Sequence, residues 1–450
     1  MIYRSQLLLG IIALSLLLGS CTSTTEDDTS TQKPNIIVLF MDDVGYGDLS
    51  SFGHPTISTP QMDELAASGV RFTSFVTAAW CVPSRTQLIT GRYMPRVAFN
   101  GSTGSDGKGG LPDSEITLAE GLKEVGYATG MAGKWHLGYM QKKFLPPNQG
   151  FDEWFGLPYS NDYRKPWVQT DEPLGLFRGT EMVEHPINQD SLTVRYTNEA
   201  VSFIKRKSSQ GQPFFYYLAY NMAHLPIHTT SEFRDKSGAG LYGDVMQTID
   251  WSVGQVVKTL KETGNYENTI IFMASDNGPW LNTPERMEQG GNLPWHQGTT
   301  GLLRGSKATT YEGGARVPAM ISWPKQIPAN RVTDQLAASP DMYRTLMEVA
   351  GAGLPEHTLD GYNLLPFLKG DHNQSPRKEY AYFLYGTLEA MRVEEWKLRL
   401  TSGEPQLFNL QVDPGERFNR AGEFPDIVND IKNKMQQLVE ETDTELPEMN

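Results

Sequence analysis

From about residue 34 onward the chain alternates short, continuous apolar runs with amphipathic stretches. The runs are NIIVLFM (35–41), PFFYYLAY (213–220), TIIFMAS (269–275) and RVPAMISW (316–323). Runs without polar alternation suit strands buried on both faces of a mostly parallel sheet. Between them, Gln61 to Ser68 closes on Gly69, and Asp190 to Lys207 carries Leu192, Tyr196, Phe203 and Ile204 at helical spacing. Ser339 and Pro340 supply a cap and a first position for a helix running to Gly351. Lys205-Arg206-Lys207 reads as a favourable helix C-terminus, not a binding patch. AAWCVPSRTQLITGR (78–92) predicts a loop feeding a helix, with Pro83 tolerated in the first turn and Gly91 at the exit. Cys81 then sits just before a helix N-terminus, where unpaired N–H groups favour negative charge.

From about Asp371 the pattern changes. EYAYFLY, RVEEWKLRL and PQLFNL are short strand patterns separated by turns, and VDPGE is a turn. A helix follows with Ile427, Val428, Ile431, Met435 and Leu438 on one face. The expected fold is therefore α/β: a large mixed, mostly parallel sheet sandwiched by helices over 34–370, then a smaller antiparallel sheet plus helix over 371–450.

The first 33 residues have another character. Arg4 precedes an apolar run from Leu7 to Leu18, too short to span a membrane comfortably, and small residues follow, as in an export signal. Leu18-Gly19-Ser20-Cys21 resembles a bacterial lipobox, which implies a signal over 1–21, lipidation (palmitate included) at Cys21 and a membrane anchor. Residues 22–33 are polar and acidic, the composition of a tether. The address expected is that of an exported bacterial lipoprotein of the cell envelope, on the periplasmic or outer face of the outer membrane.

Composition adds two constraints. A formal net charge of −14 argues against nucleic acid as a partner, although a cationic pocket can sit on an acidic surface. Only two cysteines occur. In an oxidising envelope two cysteines are expected to pair. If Cys21 carries lipid, Cys81 has no partner, and an unpaired cysteine in an exported protein points to use.

Ligands of open α/β sheets bind beyond the carboxyl ends of the strands. The first run is followed by Asp42-Asp43, the third by Asp276-Asn277, and the second, three residues on, by His224. One Asp after a strand is an ordinary turn residue. Two such pairs converging on one rim would suit a hard divalent cation, calcium or magnesium. Lys134 and His136 stand two apart, so on an extended segment both face one way. Lys307 lies in a glycine-rich loop before the fourth run. A metal ringed by Lys, Arg and His groups suits a tetrahedral oxyanion such as sulfate or phosphate.

Cys81-Val82-Pro83-Ser84-Arg85, followed by Thr90-Gly91-Arg92, resembles the signature of the type I sulfatases, calcium enzymes of the alkaline phosphatase superfamily. The Cys-x-Pro-x-Arg core read by the maturation enzyme is complete; Ile89 replaces a usual leucine. The resemblance runs from about Pro34 to the C-terminal strands. It implies conversion of Cys81 to formylglycine by a formylglycine-generating enzyme. It also implies one calcium ion held by Asp42, Asp43, Asp276, Asn277 and an oxygen of modified Cys81. Arg85, Lys134, His136, His224 and Lys307 match the family's catalytic and sulfate-binding set.

On this resemblance one hydroxyl of the formylglycine hydrate attacks sulfur, and the leaving alcohol takes a proton from Lys307 or His224. His136 then takes the proton of the second hydroxyl and sulfate leaves. Arg85 and Lys134 hold the hydrate and the developing charge. The substrate expected for a tethered exported hydrolase is a sulfated oligo- or polysaccharide, such as ulvan, carrageenan or a glycosaminoglycan. Two stretches could rim the site: 158–179, with Tyr163, Arg164 and Trp167, and the segment from Trp280 through Trp295 and His296, or both could simply pack against the domain. A phosphonate or phosphate ester hydrolase of the same superfamily and a non-catalytic glycan-binding lipoprotein stay open as alternatives.

Overall fold

A computed structural model describes residues 32–97, 108–401 and 403–447. The signal, Cys21 and most of the tether lie outside the described residues. Residues from Lys33 onward form one compact unit. Among the described residues the main sheet has ten strands. In spatial order they are Arg331–Thr333, Val70–Phe72, Ala319–Ser322, Thr269–Ser275, Asn35–Met41, Phe214–Ala219, Ala128–Lys134, Glu153–Leu157, Leu176–Arg178 and Glu181–Glu184.

The five strands from Thr269–Ser275 to Glu153–Leu157 run parallel. Their residues alternate between two cores: Ile37, Leu39 and Met41 face one, Ile36, Val38 and Phe40 the other. Helices Pro60–Ala67, Leu192–Ser209 and Gly240–Glu262 cover the first face with Met62, Tyr196, Phe203 and Ile249. Cys81–Thr90, Leu118–Glu124 and Ser339–Ala350 cover the second with Leu88, Leu122 and Leu346. Each such side chain, fully buried, contributes about 1.5–3 kcal/mol. Two-sided burial explains why these strands lack polar alternation.

The run at 316–323 behaves differently. Only Ala319–Ser322 is strand, and it pairs antiparallel with both neighbours. Arg316 instead closes the one-turn helix Glu312–Ala315, and Pro318 has no N–H to offer a ladder. At the helix entering Gly351, Ala338 is the cap and Ser339 the first residue, one position earlier than expected, because Asp341 accepts the Ala338 N–H.

The C-terminal sheet is antiparallel, with strands Glu379–Leu384, Thr387–Val393, Trp396–Arg399 and Gln406–Asn409. RVEEWKLRL is therefore not one strand: Glu394, at φ +54°, turns the chain in its middle. Helix Pro425–Thr442 lays Ile431, Met435 and Val439 on this sheet, with Ile427, Val428 and Leu438 partly buried beside them. The same cluster includes Val76, Ala315 and Ala338, so the small sheet is packed onto the large domain.

Candidate active site

Register builds the site. Met41 lies opposite Ser275 in parallel pairing, and the Asp276 N–H continues the ladder to Met41 O at 2.9 Å. Asp42 and Asp276 are thereby brought side by side, and the Asp43 N–H donates to Asp276 Oδ1 at 3.1 Å. Phe40 pairs with Ala219 and Gly133 with Ala219, which brings the segments leading to His224 and Lys134 to the same edge. Gly133 (φ +110°) is required there: a Cβ would stand 1.7 Å from the Ala219 carbonyl oxygen.

Ligand atoms of Asp42, Asp43, Cys81 and Asp276 all lie within 4.8 Å of one another, and all four residues are buried. Asn277 joins them. Its Nδ2 donates to Asp43 Oδ1 at 2.7 Å, while its Oδ1 is buried without a hydrogen-bond partner. Three carboxylates and an open amide oxygen, all buried, fit a hard, oxygen-seeking cation of calcium type.

The cations ring this core. Lys134 Nζ donates to Asp42 Oδ2. Arg85 donates to Asp276 Oδ2 and to the Lys134 carbonyl, each at 3.0 Å, and stands 3.5 Å from Asp42. Lys307 Nζ donates to both oxygens of Asp43, at 2.7 and 2.9 Å, and lies 4.9 Å from the Trp280 ring centre. His224 Nε2 is 3.8 Å from Asp43, and its ring packs against Trp280. His224 Nδ1 is 2.6 Å from the Leu225 carbonyl, which can only accept, so Nδ1 carries the proton and Nε2 holds the lone pair.

The electrostatics follow. Burial alone would raise Asp42, but Lys134 and Arg85 outweigh it and hold the carboxyl well below the usual range. Asp276 is pushed up to about 7 by burial and by the charge of Asp42, with Arg85 opposing. Burial, with Asp42 adding, raises Asp43 against the pull of Lys307. Both histidines are pushed down, His136 by burial, Lys134 and Arg85, and His224 by burial, Lys307 and Lys134. Both are therefore neutral near pH 7.

Two expectations need correction. Cys81 is the first residue of helix Cys81–Thr90, capped by Trp80, not the residue before it. Its thiol is pushed well above its ordinary range by burial first and then by Asp276, so an unmodified Cys81 is a poor nucleophile. Lys134 and His136 do not share an extended segment either. Lys134 ends its strand, and His136 reaches the rim through a left-handed backbone at φ +64°. Asp43 (+59°) and Ala308 (+62°), beside Lys307, share that conformation, which costs a non-glycine residue about 1–3 kcal/mol and marks where local structure yields to the site.

Of the rim residues, Tyr163 and Trp167 are buried, Arg164, Trp280 and His296 are half-buried, and Trp295 is 68% exposed. Sequence reasoning missed Tyr159, whose ring meets His136 edge-on with centres 4.6 Å apart. It also missed Asp48, which ties the loop after Asp43 to Thr299 by accepting from Gly45 N–H, Tyr242 OH and Thr299 N–H. Neither lies in a motif; a Tyr and an Asp in loops carry no spacing signal.

Comparison with known proteins gives the family. The family profile described as Sulfatase matches residues 34–352, and one described as N-sulphoglucosamine sulphohydrolase, C-terminal, matches 305–442. The chain is 37% identical to arylsulfatase A of Homo sapiens, over 89% of this chain and 86% of that protein. It is 36% identical to N-acetylgalactosamine-6-sulfatase of Canis lupus familiaris, over 90% and 86%. Among solved structures it is similar to Ps i-CgsB in complex with k-i-k-neocarrahexaose, with a TM-score of 0.76, 30% identity and coverage of 90% and 93%. The chain belongs to the sulfatase family and is a sulfuric ester hydrolase.

Proposed function

We propose that this sulfatase removes sulfate from a sulfated carbohydrate, using one calcium ion and a formylglycine at Cys81. The observation that carries the reading is the convergence of Asp42, Asp43, Cys81 and Asp276 within 4.8 Å, with Asn277 Oδ1 open beside them. Those residues would hold the ion, with an oxygen of the modified Cys81 completing the set. When present, calcium supplies polarisation of sulfate oxygens, and formylglycine supplies a hydroxyl nucleophile on a carbon that bears a second hydroxyl.

The side chains divide the remaining work. Arg85 and Lys134 are occupied by Asp276 and Asp42, so they fix the carboxylates and set a positive field beneath the sulfate. Lys307 keeps its proton, because Asp43 outweighs the cost of burial, and it faces the open side of the site; it donates to the leaving alcohol. His224, neutral with its lone pair on Nε2, has no proton to give from that nitrogen. His136, also neutral, can accept the second hydroxyl's proton as sulfate is expelled.

The carbohydrate reading is supported by the exposed Trp280–Trp295 segment, whose aromatic faces suit sugar stacking, and by the oligosaccharide held in the Ps i-CgsB structure. Algal polysaccharides such as ulvan or carrageenan and glycosaminoglycans make up the substrate panel. The N-terminal sequence supports a lipidated, exported protein anchored at Cys21 in the cell envelope, which palmitate labelling of the parent and of Cys21→Ala tests. For the reaction, the protein is co-expressed with a formylglycine-generating enzyme, loaded with calcium and offered the panel. Free sulfate from at least one member is expected. None from any, with the modification at Cys81 verified by mass spectrometry, would count against a carbohydrate substrate.

A further inference from the structure

We infer that Lys397, buried in the C-terminal sheet, is a positioning residue for sulfate transfer: it fixes the loop that carries Lys307. The inference rests on Lys307 acting in the reaction.

Lys397 Nζ lies 2.9 Å from Glu312 Oε1 and 2.9 Å from Glu416 Oε1, and none of the three side chains is exposed. Glu312 Oε1 also accepts the Tyr382 hydroxyl at 2.9 Å. Glu416 Oε2 accepts the Glu312 N–H at 2.6 Å, and the Glu416 carbonyl takes Arg304 at 2.9 Å. Glu312 is thus gripped at its side chain and its backbone from one cluster, five residues from Lys307.

The intervening loop cannot absorb a displacement. Gly313 N–H donates to Arg304 O at 2.7 Å, and a Cβ on Gly314 would stand 2.1 Å from Thr309 O, so residues 304–314 are folded tightly on themselves. The loop's other side is pinned to the reaction centre. Lys307 N–H donates to Pro279 O at 3.0 Å and Ala308 N–H to Ala79 O at 2.8 Å, beside Asn277 and Cys81 respectively. Whatever height Glu312 takes above the C-terminal sheet is therefore handed to the Lys307 ammonium.

Apolar packing could fill such a seam, often at equal stability, because buried ion pairs recover little beyond their desolvation cost. Charge adds direction: a carboxylate between an ammonium and a phenol has one preferred placement. Glu312 stays ionised, held at about 2 because Lys397 and Arg316 outweigh burial.

The test is a double-mutant cycle with calcium-loaded, matured protein and 4-nitrophenyl sulfate, each rate normalised to calcium-binding sites. Lys397→Met and Tyr382→Phe are each made in the parent and in Lys307→Ala. In the parent, Lys397→Met should lower kcat roughly ten- to hundred-fold with KM within about threefold, as expected for a misplaced group acting in the transition state. Tyr382→Phe, which removes one hydroxyl and keeps every charge, should cost about three- to tenfold; it carries the comparison if Lys397→Met does not fold. In Lys307→Ala both should cost less than about twofold, because their effect runs through Lys307. Equal factors in the two backgrounds would show a general structural role and overturn the inference. Full activity of Lys307→Ala alone would overturn the role of Lys307 itself, a separate failure visible before the cycle is closed.

Discussion

Two of the buried charge clusters among the described residues are built on opposite plans. At the rim of the large sheet, Asp42, Asp43 and Asp276 crowd their oxygens together with Cys81 while Arg85, Lys134 and Lys307 stand around the outside. In the seam under the small sheet, a single cation, Lys397, stands between Glu312 and Glu416. The carboxyls differ accordingly: burial and Asp42 push Asp276 up to about 7, whereas Lys397 holds Glu312 at about 2, and burial with the Glu312 charge raises Glu416 against the pull of Lys397. Alternating charges satisfy one another and serve geometry. Crowded like charges store a repulsion that a divalent cation relieves, and they serve chemistry.

The sharpest way to break this contrast is at Cys81. Cys81→Ala should lower sulfate release by at least about 10⁴-fold, the scale on which loss of a nucleophile is felt. Melting temperature should barely move, since a small side chain is exchanged for a smaller one. Comparable release from the variant would remove the rim from the reaction altogether. Next comes the ion. Asp276→Asn should weaken calcium binding about 10²-fold or more, with a similar loss of activity, and should abolish the rise in melting temperature expected when calcium is added to the parent. Calorimetric titration and thermal scans with and without chelator decide it; a calcium-dependent shift retained in full would mean the ion binds elsewhere.

The seam should respond in the other currency, stability. Lys397→Met leaves two buried carboxylates without their common cation, which costs about 3–5 kcal/mol when one partner of a buried pair is removed. Denaturant unfolding should show that loss equally with and without calcium, because no calcium ligand belongs to the seam. A loss seen only with calcium bound would merge the two clusters into one.

How much of this was readable from the chain follows from the same physics. Doubly buried strands announce themselves as unbroken apolar runs, and 35–41 and 269–275 match the structure residue for residue. The rim was readable because register converts "strand, then Asp-Asp" and "strand, then Asp-Asn" into neighbours, and because the Cys81 motif is specific. Antiparallel pairing of Ala319–Ser322 was not readable, since an apolar run carries no direction. Backbone at φ +64° for His136 was not either: propensity favours an extended residue there, and only tertiary contacts hold the exception. The seam escaped notice for a different reason. Lys397 sits in an alternating strand where a lysine ordinarily points to water, and its partners lie 85 and 19 residues away, with nothing local to mark them. Likewise Tyr163 and Trp167 read equally as a rim or as packing, because aromatic composition is the same for a sugar platform and a core, and both are buried.

The smallest expected effect probes the stored repulsion directly. Without calcium, Asp276 titrates near pH 7, above its unfolded value of about 4. Between those values the folded, calcium-free protein binds a proton that the unfolded chain does not, so its stability falls as pH rises through that window, by up to about 1.4 kcal/mol per unit. Calcium takes the ionised carboxylate, so its apparent affinity runs the other way, rising about tenfold per unit up to pH 7 and levelling above it. Asp43, raised in the same direction, adds to that slope. Glu312 contributes nothing across this range, because a carboxyl held at about 2 gives stability that is complete above its unfolded pKa and fades only as pH falls towards 2. Calorimetry at pH 5.5, 6.5 and 8, in buffers of differing ionisation enthalpy, should find about one proton released per calcium at the lowest pH and almost none at the highest. Asp276→Asn should flatten most of the slope. An affinity independent of pH over that range would mean that the crowded carboxylates are already ionised, and that the two clusters differ in shape but not in stored charge.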